Sequence, residues 1–242
     1  MIEYLIFFIA CFVFEILYIQ IAKKNKIFDH PNERGSHISK TIRGGGIIFT
    51  LPIFTYFVIM QSSFSYLILI GILIILITSF YDDLFSVAPE KKTFLYLLAV
   101  LTFMIHYGQG HHEAWVLFGL ITSFVFLNYF NFMDGINGMT GFYSLAFIIP
   151  MLFFFNNGLS DLFILILLSI LVFGFYNFRS KPVVFAGDVG SMFLAMLFLY
   201  ILLEHIHTFK DLYILFAFMV YFIECTITII ERLLNKENII LR

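Results

Sequence analysis

The chain has 242 residues, of which 61% are hydrophobic and only 12% are charged, and its formal net charge is −2. Composition excludes a water-soluble domain, because such domains carry about a quarter charged residues and this one could not bury its apolar surface. It also excludes a disordered chain, since there are 34 Phe and 13 Tyr. The two cysteines lie in apolar runs and indicate neither a disulfide framework nor a metal site. What remains is a polytopic membrane protein.

Nine segments are apolar over the length of about 17 to 25 residues that a membrane-crossing helix needs, or nearly so. In chain order they lie at about 3–22, 46–61, 64–80, 93–108, 114–130, 141–156, 160–178, 190–206 and 212–231. The second and the sixth are short, and each follows a glycine-rich stretch. We therefore predict an all-α transmembrane bundle of about nine spans that forms a single domain over residues 1–242.

The lysines and arginines predict the orientation, because cytoplasmic loops carry an excess of them. With the N-terminus outside and the C-terminus cytoplasmic, only Lys210 falls on the outer side. The cytoplasmic side then holds Lys23, Lys24, Lys26, Arg34, Lys40, Arg43, Lys91, Lys92, Arg179, Lys181, Arg232, Lys236 and Arg242. Four unusual polar segments also lie on this face, and loop residues carry function more often than core residues do.

The first polar segment runs from Asp29 to Gly46 between the first two spans. It places Lys40 and Arg43 before a glycine triplet at the start of a helix, where backbone N–H groups and positive charge can bind phosphate. A basic membrane anchor followed by a flexible turn explains the same residues, because a glycine triplet has little specificity.

The second segment is the acidic pair Asp82-Asp83 at the inner end of the third span. Adjacent carboxylates at a membrane boundary must be solvated, paired or bound to a cation. Magnesium takes one or two carboxylates together with substrate phosphate oxygens, which fits such a pair. The alternative is an ordinary acidic helix end that pairs with Lys91 or Lys92.

The third segment places Asn128, Asn131 and Asp134 at intervals of three residues before a glycine-rich loop. On a helix these side chains fall broadly on one side, so they indicate a ligand-facing wall. A capped helix end would explain Asp134 but not the two asparagines. In the fourth segment, Asp188 lies between Gly187 and Gly190, either as the N-cap of the eighth span or as a carboxylate available to a metal.

Together the four segments predict a magnesium-assisted phosphoryl-transfer site. They place acids for a cation, amides for a polar ligand and basic residues for phosphate on one membrane face. In such reactions, positioning and charge neutralisation supply most of the catalysis. A transporter would instead place its polar groups near the bilayer midplane on broken, repeated helices.

With these motifs in this order, the chain resembles the polyprenyl-phosphate N-acetylhexosamine-1-phosphate transferases. The matching segments are Pro31 to Gly46, Asp82-Asp83, Asn128 to Gly141 and Gly187 to Ser191. The sequence from Asn131 to Gly138 is similar to that of the branch that initiates O-antigen and enterobacterial common-antigen synthesis. The resemblance implies that undecaprenyl or a related polyprenyl phosphate attacks the β-phosphate of a UDP-sugar and that UMP leaves.

The resemblance also implies residue roles, a metal and a location. Asp82 and Asp83 would be the catalytic pair that acts on the lipid phosphate, and Asp188 would be the metal ligand. The residues that would face nucleotide, sugar and phosphate are Asn128, Asn131, Asp134, Lys40 and Arg43. The expected cofactor is Mg²⁺, with Mn²⁺ as an alternative. The expected setting is the bacterial inner membrane with the site facing the cytoplasm, in contact with membrane lipid and not with nucleic acid. The oligomeric state stays open, a dimer included.

One departure from the family concerns the C-terminal end. Family members continue into a cytoplasmic loop with a histidine motif and then at least one further helix, whereas no histidine follows His207 here. The pairs His205/His207 and His111/His112 fall on the predicted outer side and would not replace that motif across roughly 30 Å of hydrocarbon. The alternative function is therefore a shortened homologue that binds polyprenyl phosphate or nucleotide without turnover.

Overall fold

Helices account for almost all of the regular structure, because in hydrocarbon the backbone N–H and C=O groups of a spanning segment must bond within that segment. The computed structural model describes residues 2–29, 40–59, 65–110, 112–154, 159–206 and 209–236. Its α-helices are α1 (Ile2–Lys24), α2 (Thr50–Ile59), α3 (Tyr66–Phe85), α4 (Pro89–Tyr107), α5 (Glu113–Met133), α6 (Met139–Phe154), α7 (Ser160–Asn177), α8 (Gly187–His205) and α9 (Met219–Leu234). Two 3-10 helices, Gly45–Phe49 and Phe209–Phe218, precede α2 and α9. The short strands β1 (Phe28–Asp29) and β2 (Thr41–Ile42) pair antiparallel.

Within the described ranges, six helices are long and apolar enough to cross a membrane. They are Ile2–Lys24, Tyr66–Phe85, Glu113–Met133, Ser160–Asn177, Gly187–His205 and Tyr213–Leu234. Gly45–Val58 and Met139–Phe153 are shorter apolar helices, and α4 carries charged residues near its start. The prediction of an all-α, polytopic helical protein is confirmed. The count of about nine spans and the orientation stay predictions.

The central helix of the bundle is α8. Every residue from Asp188 to Leu202 is buried, and the helix packs against α3, α5 and the 3-10 helix Gly45–Phe49. Since a helix that is apolar all round must be buried on all sides, the sequence of α8 agrees with this position. By contrast, α1 exposes a row of large apolar side chains that includes Ile6, Ile9 and Val13, as a lipid-facing helix does.

A close approach between the glycine triplet and α8 places residues 44–46 against the N-terminal end of this central helix. A Cβ atom at Gly46 would lie 2.7 Å from the Ala186 carbonyl oxygen and 2.9 Å from the Gly190 nitrogen, so the packing requires glycine. Just before it, Ile42 forms a parallel bridge with Val184. As a result, the residue that follows Ile42 lies at the N-terminal end of α8.

Candidate functional site

Three carboxylates from two helices meet at one end of the bundle. Asp82 and Asp83 lie on the last turn of α3, and Asp188 lies on the first turn of α8, which packs along α3. All three residues are buried. A buried carboxylate is costly unless it is paired and hydrogen-bonded, and here Arg43 and Lys92 supply the opposite charges.

Asp83 binds the N-terminal end of α8. Its Oδ1 accepts a hydrogen bond from the backbone N–H of Asp188 at 2.9 Å, and its Oδ2 accepts one from Val189 at 2.9 Å. The Nε of Arg43 lies 2.6 Å from Oδ1, and the Asp83 side chain is fully buried. A helix N-terminus favours negative charge, so Asp83 is the capping anion of α8 although it comes from α3. Asp188, which the sequence suggested as an N-cap, is left with its carboxylate directed to other partners.

Asp82 and Asp188 share one cation, the Lys92 ammonium near the start of α4. Nζ of Lys92 lies 2.7 Å from Oδ2 of Asp82 and also donates to Oδ2 of Asp188. The other oxygen of Asp82 accepts the backbone N–H of Val87 at 2.6 Å, which holds the turn between α3 and α4. The ion pair of Asp82 with Lys92, which agrees with one of the two sequence interpretations, is therefore present. Lys92 also binds Asp188 of α8, whereas Asp83 pairs with Arg43.

Arg43 is the second cation of the cluster and pairs with Asp83 and Asp188. Its second terminal nitrogen lies 3.4 Å from Oδ1 of Asp188, while its backbone carbonyl accepts a 2.6 Å hydrogen bond from the Tyr18 hydroxyl. Burial alone lowers the pKa of Arg43, but Asp83 and Asp188 outweigh this effect and raise the pKa above its ordinary value. Arg43 is therefore a fixed cation, and its side chain remains 29% exposed.

A cavity of about 240 Å³ opens beside these charges. Its wall includes Arg43, Asp82, Lys92 and Asp188 on one side, and Asn128 and Asn131 of α5 on the other. Pockets for drug-sized ligands measure about 300–1,000 Å³, so this cavity suits the phosphate-bearing part of a larger substrate. The structure thus brings five of the predicted site residues to one cavity: Arg43, Asp82, Asn128, Asn131 and Asp188.

The two asparagines are held differently. Oδ1 of Asn131 accepts a 3.3 Å hydrogen bond from the Ser191 hydroxyl on α8, so Asn131 links α5 to the helix that carries Asp188. The amide of Asn128 donates to the Phe124 carbonyl oxygen one turn earlier, at 2.8 Å. Both side chains therefore have internal partners as well as a face on the cavity.

Three predicted site residues lie apart from the cavity wall. Within the described ranges, Asp134, Lys40 and Asp83 do not line this cavity. Asp134 ends α5 and accepts a hydrogen bond from the Thr140 hydroxyl at the start of α6, and Lys40 is exposed. The predicted motif residues from 30 to 39 lie outside the described residues.

The glycine triplet does not offer its backbone to a phosphate as the sequence suggested. The N–H of Gly45 donates to the Phe185 carbonyl and that of Gly46 to the Ala186 carbonyl, each at 2.9 Å. The triplet instead allows close packing, and Gly44 adopts a left-handed φ of +82°. Among the described residues of this segment, Arg43 is the one whose side chain lines the cavity.

Sequence reasoning missed one buried residue that connects two of the motifs. Asn177, at the end of α7, accepts the Gly138 N–H at 2.9 Å and donates to the Val184 carbonyl at 2.7 Å. It thereby ties the glycine-rich loop after α5 to the segment that leads into α8. The available signal was a single asparagine at the inner end of a long apolar run, a position where an amide must find partners.

The donor set fits magnesium. Two carboxylate oxygens, from Asp82 and Asp188, converge on a single cation next to a cavity, and Mg²⁺ characteristically takes one or two carboxylates and completes its shell with waters and phosphates. In the part of the chain that the structure describes, no group of three or more His, Cys, Asp or Glu side chains is arranged to hold a metal. A metal at this position would take carboxylate ligands from Asp82 and Asp188 and would need its remaining ligands from substrate and water.

A comparison with known proteins covers three of the four polar segments, those with Asp82-Asp83, Asn128 to Gly141 and Gly187 to Ser191. Residues 65–206, from the start of α3 to the end of α8, match the profile of glycosyl transferase family 4. The chain is similar to the phospho-N-acetylmuramoyl-pentapeptide-transferase of Thermotoga maritima, with 27% identity over 211 residues that cover 77% of this chain and 68% of the relative. The enzyme of the same name from Thermotoga petrophila is 27% identical over 215 residues with the same coverage. That from Thermotoga neapolitana is 31% identical over 169 residues, which cover 61% of this chain and 55% of the relative.

Proposed function

The chain belongs to glycosyl transferase family 4, and we propose that it is an integral-membrane enzyme that transfers a sugar-1-phosphate from a UDP-sugar to a polyprenyl phosphate. The observation that carries this proposal is the shared cation position of Asp82 and Asp188 beside a cavity lined by Arg43 and two asparagines. Phosphoryl transfer depends mainly on positioning and charge neutralisation. A cluster of fixed charges facing amide groups supplies both.

The reaction exchanges one phosphorus–oxygen bond for another. An oxygen of the lipid phosphate attacks the β-phosphorus of the UDP-sugar, the bond from that phosphorus to the α–β bridging oxygen breaks, and UMP leaves. Asp82 lines the cavity and is the group we assign to the lipid phosphate nucleophile. Asp83 holds Asp188 at the start of α8, and Arg43 offers positive charge to a phosphate at the cavity.

We assign the metal to Asp82 and Asp188. When bound there, Mg²⁺ neutralises phosphate oxygens as negative charge shifts to the leaving UMP. We assign Asn128 and Asn131 to the polar groups of the nucleotide or sugar, because their amides face the same cavity from α5. Asp134 and Lys40 are assigned to the substrate on their motif positions alone.

A second cavity lies in another part of the bundle. It measures about 490 Å³ and is lined mainly by apolar side chains of α4, α5 and α8, including Met104, Phe126 and Leu199. Its lining includes Tyr107 and Trp115, where α4 ends and α5 begins, so the cavity lies toward the ends of these helices opposite to Lys92 and Asn131. The lipid acceptor is therefore proposed from the family assignment and not from this cavity.

The sugar and the pathway belong to the proposal rather than to the family assignment. The sequence of the motif from Asn131 to Gly138 favours an N-acetylhexosamine donor for O-antigen or common-antigen initiation. The relatives from Thermotoga, by contrast, carry the name of a phospho-N-acetylmuramoyl-pentapeptide-transferase. We propose the N-acetylhexosamine donor, one domain over residues 1–242, and a bacterial inner-membrane location with the site facing the cytoplasm. The orientation rests on the distribution of lysines and arginines.

The test is a lipid-extraction assay on membranes that contain the chain. Radiolabelled UDP-N-acetylglucosamine and UDP-N-acetylmuramoyl-pentapeptide are offered separately with undecaprenyl phosphate, with Mg²⁺ or with a chelator. We expect label from the N-acetylhexosamine donor to enter the lipid fraction only with Mg²⁺, and Asp188→Asn to abolish it while the protein stays in the membrane. Label from the pentapeptide donor alone would move the chain to the peptidoglycan branch. Nucleotide binding without label transfer from either donor would refute turnover and leave a binding homologue.

A further inference from the structure

The Lys92 ammonium lies where a cation shared by two carboxylates would lie. Its Nζ is 2.7 Å from Oδ2 of Asp82 and contacts Oδ2 of Asp188, and all three residues line the cavity. Its side chain is 19% exposed, and Tyr96, one turn later on α4, places its ring centroid 5.8 Å from Nζ. Lys92 is therefore held by charge and by an aromatic face but is not enclosed.

The charges of the cluster explain why a lysine is present. Among the described residues, Lys92 brings a positive charge between Asp82 and Asp188. Without it these two carboxylates would repel each other in a buried site, where like charges repel strongly. A divalent cation between the same oxygens would supply that positive charge instead and would itself repel the ammonium. The ammonium and the dication therefore compete for one position.

We propose that Lys92 is a positioning residue that occupies the cation position between Asp82 and Asp188 and leaves it when a divalent cation binds. The inference rests on the metal assignment made in the proposed function. Lys92 reaches Asp188 across 96 residues of sequence, so this contact keeps α4 against α8 until the metal takes over. The released ammonium stays at the cavity, where a phosphate is its next partner.

The experiment measures Mn²⁺ binding and the reactivity of the lysine, neither of which requires turnover. The full chain is placed in nanodiscs, and free Mn²⁺ is titrated by electron paramagnetic resonance. We expect Lys92→Met to bind Mn²⁺ about tenfold or more tightly than the wild type, since it removes a positive charge a few ångströms from the dication. Lys91→Met is the matched control, because Lys91 is exposed, and it should bind Mn²⁺ as the wild type does.

A second readout uses the wild-type chain and so does not depend on a variant that folds. Amine-reactive acetylation followed by mass spectrometry should show that Mn²⁺ increases the labelling of Lys92 and leaves that of Lys91 unchanged. Unchanged Lys92 labelling, or wild-type Mn²⁺ affinity in folded Lys92→Met, would overturn the inference about Lys92 alone. If Asp82→Asn and Asp188→Asn bind Mn²⁺ as the wild type does, the metal assignment falls and the inference falls with it.

Discussion

Substitution of Asp83 by Asn tests whether this carboxylate has a structural role, in contrast to Asp82, which lines the cavity. Asp83 accepts two backbone N–H groups of α8 at 2.9 Å and pairs with Arg43 at 2.6 Å, with no exposed side-chain surface. An asparagine keeps one acceptor oxygen and turns its amide toward a backbone donor. Breaking a buried pair in this way costs about 3–5 kcal/mol. We expect the lower part of this range, because Arg43 is partly exposed and keeps Asp188.

Asp82→Asn is the matched comparison. The asparagine oxygen can still accept the Val87 N–H, and Lys92 keeps Asp188, so we expect a loss of about 1 kcal/mol. In the transferase assay the two substitutions act for different reasons. Asp82→Asn removes a group that lines the cavity, whereas Asp83→Asn acts only through the position of α8. Glu90→Gln, at an exposed site, controls for the loss of one negative charge.

Thermal unfolding in detergent can be followed with a thiol-reactive dye, because both cysteines are buried in the folded chain. Cys11 is 0% and Cys225 is 4% exposed, so each becomes reactive as the bundle opens. We expect the midpoint of Asp83→Asn to fall clearly below that of Asp82→Asn. Equal midpoints for the two variants, or a wild-type midpoint for Asp83→Asn, would refute the capping role of Asp83.

Three further substitutions test the packing around the site by the same dye assay. Gly187→Ala should destabilise the folded chain by roughly 1–3 kcal/mol, because the φ of Gly187 is +71° and the new Cβ would lie 2.5 Å from an Asp83 oxygen. Gly135→Ala is the control, and it should leave the midpoint unchanged because the space around Gly135 is open. Equal effects of the two substitutions would argue against the close packing of Gly187 on Asp83. Asn177→Ala should lower the free energy of unfolding by about 2 kcal/mol or more, and with it the midpoint, since it leaves a buried N–H and a buried carbonyl without their partner. Glu15→Met should raise the free energy of unfolding by about 1 kcal/mol or more, because the buried Glu15 carboxylate has no hydrogen-bond partner among the described residues. A lower midpoint for Glu15→Met would reveal a role for that carboxylate.

Much of the helical architecture could be predicted from local composition. A run such as residues 160–178 is apolar over the length of a membrane-crossing helix, and the structure places α7 over Ser160–Asn177. The start of α4 was predicted four residues late, because Pro89 and the charged residues after it belong to the helix although they are not apolar. Hydropathy detects the apolar part of a helix, whereas a proline at the first helical position marks where the helix itself begins.

In the candidate site, several residues could be identified from the sequence, but their partners could not. Asp82, Asn131 and Asp188 were identified because polar residues in apolar surroundings are costly and need a reason to be there. Their partners could not be derived from spacing: the N–H groups that bind Asp83 lie 105 and 106 residues away, and Arg43 reaches Asp188 across 145. The sequence suggested the Asp82 and Lys92 pair only because those residues are ten apart.

Short stretches of sequence are enough to predict a helical membrane protein with a small set of polar motifs, because hydropathy and motif chemistry are local properties. Three features follow only from the packed helices: Asp83 caps α8, Asp82 and Asp188 share the Lys92 ammonium, and the glycine triplet allows close packing. These outcomes depend on which helix ends meet, and that is set by the packing of α3 against α4 and α8. Burial then decides the pairing, since a carboxylate removed from water must find the nearest cation or backbone donor.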